Sequence, residues 1–100
     1  MISYATLVHN ERAEIERLLE YLLKHKGSSD EIVVMLDSEN VTKEVRDYVE
    51  NFVMSNNTEH EIVLCSHALK KNFAKHKNYL SSQCSKEWIF LIDADEYPDN

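Results

Sequence analysis

One glycine and one proline in 100 residues leave no room for long flexible linkers or low-complexity segments. Basic residues are also in short supply. Eleven Lys and Arg stand against eighteen Asp and Glu, for a formal net charge of -7, which excludes a basic face for tracking a nucleic-acid backbone. An acidic balance does not exclude a nucleotide site, because a bound divalent cation neutralises a diphosphate locally. The two cysteines, Cys65 and Cys84, form neither a metal-binding spacing nor a disulfide framework and are expected to be reduced, partly buried thiols. No apolar run approaches the roughly 20 residues needed to cross a bilayer. The first residues lack the basic-then-apolar layout of a secretion signal. No internal repeat is found. These absences predict a single cytoplasmic α/β domain over residues 1–100, with no nucleic-acid partner and no transmembrane segment.

What is present alternates in period. Ile2 to Val8 is a short β-rich run, followed by Asn10 as an expected helix cap. Ile15, Leu18, Leu19, Leu22 and Leu23 recur at helical steps. Gly27 falls where a helix is expected to end. Ile32 to Leu36 is a continuous apolar run closing on Asp37, the pattern of a central strand buried on both faces. Val41, Val45, Tyr48, Val49 and Phe52 mark a second helix, Glu61 to Cys65 a third strand, and Leu69 to Leu80 a third helix. Trp88 to Ile92 is the fourth strand, with Trp88 expected to pack inside.

Strands alternating with helices predict βαβ units and a mostly parallel sheet in a three-layer αβα arrangement. Right-handed crossovers place all strand carboxyl ends on one edge, where ligands bind in such sheets. Chemistry is therefore expected at Thr6–Glu11, Asp37–Asn40 and Asp93–Tyr97. The last is the sharpest. Asp93 and Asp95 flank Ala94 directly after five apolar residues, and Glu96 follows. Two carboxylates held close repel one another and suit a hard cation such as manganese or magnesium. A D-x-D after an apolar strand also serves haloacid-dehalogenase-type phosphatases, but there it usually lies on the first strand. A solvated acidic turn is the plain alternative. The histidines His9, His25, His60, His67 and His76 offer no paired spacing on one helix face and are expected to be ordinary side chains.

Three segments resemble family 2 glycosyltransferases with the GT-A, Rossmann-like fold. Ser3 to Glu11 is similar to the family's first strand and its following Asn-Glu, and Glu31 to Ser38 to its second strand ending in Asp. Asn72 to Tyr79 and then Glu87 to Glu96 are similar to the stretch entering the D-x-D, in the manner of lipopolysaccharide-core-type members. The resemblance implies a nucleoside-diphosphate sugar donor, UDP-linked by the family's habit. Thr6, Leu7 and Val8 would line base and ribose, Asp37 would meet the base edge, and Lys77 the base or diphosphate. Asp93, Ala94 and Asp95 would border the diphosphate, with Asp93 and Asp95 holding Mn2+ or Mg2+. The acceptor would be a glycan or lipid-linked glycan of unknown identity. Asp37-Ser38-Glu39-Asn40 departs from the commoner acidic pair with Gly and Ser, and Lys77 stands where Arg is frequent, which removes a bidentate phosphate clamp. Such enzymes continue past the D-x-D and carry their catalytic base there. The 100 residues are therefore expected to be a nucleotide-binding front half with no catalytic base, inactive alone. Exposed sheet surface would then favour self-association. The alternative is a non-catalytic nucleotide-binding or interaction domain.

Overall fold

The computed structural model describes residues 1–68 and 73–93; the expected Ala94, Asp95, Glu96 and Tyr97 elements and the start of the expected third helix lie outside them. Four strands alternate with three helices: β1 (Ile2–Val8), α1 (Arg12–His25), β2 (Glu31–Asp37), α2 (Lys43–Asn56), β3 (Glu61–His67), α3 (Phe73–Ser82) and β4 (Trp88–Asp93). The strand order is β3-β2-β1-β4, and every neighbouring pair is parallel. This is the expected α/β class.

The sheet separates two apolar layers. On one face, Val8, Ile32, Val34, Leu36 and Ile92 pack with Ile15, Leu18, Leu19 and Leu22 of α1 and Val45, Val49 and Phe52 of α2. On the other, Ala5, Val33 and Met35 pack with Leu80 of α3. Alternating side chains of β2 therefore serve both layers, which is why all seven of its residues are buried. Cys65 and Cys84 belong to the second layer as free, half-buried thiols. Burial pushes the Cys65 thiol up to about 11, so it stays protonated and unreactive at neutral pH.

Local details depart from the sequence reading. Glu11, not Asn10, stands at the N-cap of α1 and makes no side-chain cap bond. Its carboxylate instead accepts the His9 N–H at 2.9 Å and closes the turn after β1. The C-cap of α1 is Lys26, and Gly27 donates its N–H to Asp30 Oδ2 at 2.9 Å. Thr42 caps α2 by accepting the Val45 N–H. The largest difference is Trp88, which is 70% exposed. β4 is an edge strand paired only with β1, and no helix among the described residues covers its outer part. Ile89, Phe90 and Leu91 share that exposure.

The amino ends of the strands are fastened by a buried carboxylate. Glu31 Oε2 accepts from the Ser3 hydroxyl and from the Ser85 N–H at 2.6 Å, and Oε1 accepts from the Ser85 hydroxyl at 3.0 Å. Ser3 Oγ in turn accepts the Lys86 N–H at 3.1 Å. Desolvation alone would raise the acid's pKa. The bonds from Ser3 and Ser85 outweigh it and hold Glu31 below its usual range. Asp30 works alongside, accepting the Ile2 N–H at 2.8 Å. Together they tie the segment after α3 to β1 and β2 before β4 begins.

Candidate functional site at the carboxyl edge of the sheet

The loops after β1, β2 and β3 are bound to one another at the opposite edge. His9 carbonyl oxygen accepts the Thr42 N–H at 3.0 Å, joining the first loop to the second. Ser38 donates its N–H to the His67 carbonyl at 3.1 Å, joining the second to the third. The expected convergence of strand ends is therefore fixed by backbone bonds, not by proximity alone.

Asp37 is the centre of this arrangement. It is fully buried. Its Oδ1 accepts the Glu39 N–H at 3.1 Å, and its Oδ2 accepts from the Asn40 amide at 2.9 Å. The His9 ring completes the set, with Nδ1 3.2 Å from Oδ2. Asp37 also organises its own turn, its carbonyl accepting the N–H groups of Asn40 and Val41. Burial would raise its pKa, but the Asn40 and Glu39 bonds and the nearby His9 hold the carboxyl below its ordinary range. It is an anion at neutral pH with some acceptor capacity left on Oδ1.

A second group adjoins it. His67 is the register partner of Asp37 across β2 and β3. Its Nδ1 lies 2.9 Å from Nδ1 of His76 on α3, and its ring stacks on Tyr79 at 4.5 Å. His76 is fully buried, and its Nε2 has no hydrogen-bond partner among the described residues. Desolvation lowers the His76 pKa; His67 and His9 add to that, while Asp37 and Glu39 oppose it. His76 is thus neutral at pH 7. Sequence reasoning missed this pair, because the two histidines sit nine residues apart on different elements. No group of three metal-capable side chains occurs among the described residues.

The residues singled out from sequence are distributed as follows. Thr6 is buried in mid-strand, its hydroxyl without a partner among the described residues, while Leu7 and Val8 lie nearer the edge. Asp93 ends β4 in register with Leu7, so the end of β1 runs between the ends of β2 and β4. Lys77 is exposed on α3, next to the inward-facing His76. Ala94 and Asp95 lie outside the described residues. On the α2 side, a shallow cleft of about 290 Å³ opens beside Ser38, Arg46 and Ser66.

Comparison with known proteins agrees with this architecture. The model of glycosyl transferase family 2 matches residues 3–100. The crystal structure of S. aureus TarS, residues 1–349, superposes with a TM-score of 0.77 at 21% identity, covering 96% of this chain and 28% of that one. No curated protein sequence matches. The parallel αβα sheet is thereby a GT-A fold, of which this chain spans little more than a quarter of the TarS chain's length.

Proposed function

Because the chain belongs to glycosyl transferase family 2, we propose that it forms the donor-binding part of a sugar transferase that uses a nucleoside-diphosphate sugar, with uridine as the nucleoside. The observation that carries this reading is the buried, ionised Asp37 at the carboxyl end of central β2. One strand away lies the end of β1, and two strands away the end of β4 at Asp93. At the usual strand spacing, that is a span of roughly 10 Å along one ligand-binding edge.

In this reading Asp37 accepts the imide N–H of the base on its remaining Oδ1 capacity. The backbone at Leu7 and Val8, with Thr6 behind them, borders the ribose. Lys77 supplies positive charge at the rim without a bidentate grip. Asp93 and Asp95 are the residues that would hold manganese or magnesium, since paired carboxylates after a strand suit a hard divalent cation. Bound there, such an ion neutralises charge on the departing diphosphate. Transfer to a glycan or lipid-linked glycan hydroxyl belongs to the whole protein in this reading, and it goes with a cytoplasmic location.

Isothermal titration with UDP, with and without manganese, tests the proposal. Manganese-dependent heat is expected from this chain, and Asp95→Ala is expected to abolish it while leaving the circular dichroism spectrum unchanged. Absence of heat under both conditions rejects the donor site. Manganese-dependent binding that survives Asp95→Ala removes that residue from the metal site.

A further inference from the structure

The His67–His76 pair, half-buried at His67 and fully buried at His76, is a polar cluster at the carboxyl edge that the donor reading leaves unused. Two Nδ1 atoms 2.9 Å apart share one proton, so one ring donates and the other accepts. Which ring donates decides what His76 presents at Nε2. If His67 donates, neutral His76 carries its own proton on Nε2, a buried donor with no acceptor. Leaving such a group unpaired is costly, and a ligand that pairs it recovers the cost.

We propose that His76 Nε2–H donates to the 4-carbonyl of the uracil ring and, with Asp37 accepting from the imide N–H, reads the base. This rests on the donor reading above. A carboxylate and an N–H donor close enough for the charge of one to act on the other supply an acceptor and a donor to one ligand edge. That pattern complements the N–H and C=O of a uracil imide edge, and it opposes the amino group and bare ring nitrogen of cytosine. The placement suits the task. His76 lies on the α3 face of the sheet opposite the carboxyl end of β2, four residues from Leu80, which packs on Val33 and Met35. It is near enough to Asp37, His9 and Glu39 for their charges to act on it. Lys77, one residue on, is exposed and turned away from this layer. The His9 ring is bonded to Asp37 with 34% of its side chain exposed, and a base reaching Asp37 would have to displace it. Stacking of His67 on Tyr79 holds the His67 ring in place.

The test is a manganese-containing titration of the chain with UDP, CDP and 4-thio-UDP, whose sulfur is a poor acceptor at the position His76 would reach. UDP is expected to bind about tenfold more tightly than 4-thio-UDP, and CDP more weakly still. In His76→Phe, which keeps a ring of similar size, UDP and 4-thio-UDP are expected to bind alike. His76→Gln, whose amide N–H reaches a similar point, is expected to regain part of the preference. Equal binding of UDP and 4-thio-UDP by the unaltered chain overturns the His76 assignment and leaves the donor site standing. So does loss of the preference in Lys77→Ala with its retention in His76→Phe. No binding of any of the three overturns both. The comparison of ligands on the unaltered chain decides the matter even if His76→Phe does not fold.

Discussion

β2 begins and ends with a buried acid, and the two ends differ in where the partners of those acids come from and in what stands beside them. At Glu31, the hydroxyls of Ser3 and Ser85 and the Ser85 N–H all converge on one carboxylate, and Ser3 has its own donor in Lys86. Those partners come from β1 and from the segment after α3. At Asp37 the carboxylate is bonded mainly within its own turn, and the adjoining layer keeps an unpartnered His76 nitrogen. A saturated buried network rigidifies a fold, whereas an incomplete one carries a standing cost that a ligand can remove. Both acids are buried and ionised, so burial alone does not separate a fastening from a site. The His76 nitrogen beside one of them, without a partner among the described residues, does.

The sharpest way to break that comparison is at Glu31. Glu31→Leu leaves the buried Ser3 hydroxyl without its acceptor, cuts both bonds that hold Ser85, and is expected to cost about 3 kcal/mol. For a domain of this size that corresponds to a melting temperature lower by more than ~10 °C. Nucleotide affinity, measured where the variant is still folded, is expected to be unchanged; a large loss of affinity would mean that the two ends are not separable.

Acid titration sharpens the comparison next. The pKa values of Asp37, Glu31 and His76 are all lowered on folding, so the unfolded chain binds more protons and stability falls with falling pH. The sequence of losses differs by end. His76 begins to cost stability as pH drops below its ordinary value of 6.5. The contributions of Glu31 and Asp37 are complete above their ordinary values of 4.5 and 3.8 and fade as pH falls through their lower folded values. Melting temperatures recorded from pH 7 to pH 3 are therefore expected to show a first decline near pH 6 that His76→Phe removes. A flat profile down to pH 5 contradicts the assignment of a neutral, buried His76.

The smallest effect is expected at Lys77. Lys77→Ala takes one exposed charge from the rim, so UDP affinity is expected to fall by no more than about threefold, with stability unchanged. A loss of a hundredfold by titration would move the centre of base or diphosphate recognition from the buried layer to the surface.

The architecture was legible because it is written in local period. The helical steps from Ile15 to Leu22 and the unbroken run from Ile32 to Leu36 decide which faces are apolar, and the sheet follows. The positions of Asp37 and Asp93 at strand ends were legible for the same reason. Relations between distant residues were not. Ser85 reaches Glu31 across 54 positions, and no local pattern announces a serine as the partner of a buried acid. The His67–His76 contact depends on how α3 is docked against β3, which spacing does not encode. Trp88 was misread because burial of a strand residue depends on what lies beside the strand, and β4 stands at an edge. The caps of α1 were missed by one position, where competing turn bonds from Glu11 and Asp30 decide the boundary.

The strand order β3-β2-β1-β4 carries a consequence for how the chain assembles. β1, β2 and β3 pair in chain order, each through a single helical crossover, so their contacts form between near neighbours as the polypeptide lengthens. β4 pairs instead with the first strand, Trp88 against Ile2, and closes a loop through nearly the whole sequence. Such closure is entropically expensive and comes last. A chain emerging from the ribosome would then hold a three-stranded sheet with a bare flank on β1 until residues 88–93 arrive. Glu31, by capturing Ser85 three residues before that strand begins, shortens the final search to a few residues. The buried acid that fastens the finished fold is also the latch on which its last strand is delivered.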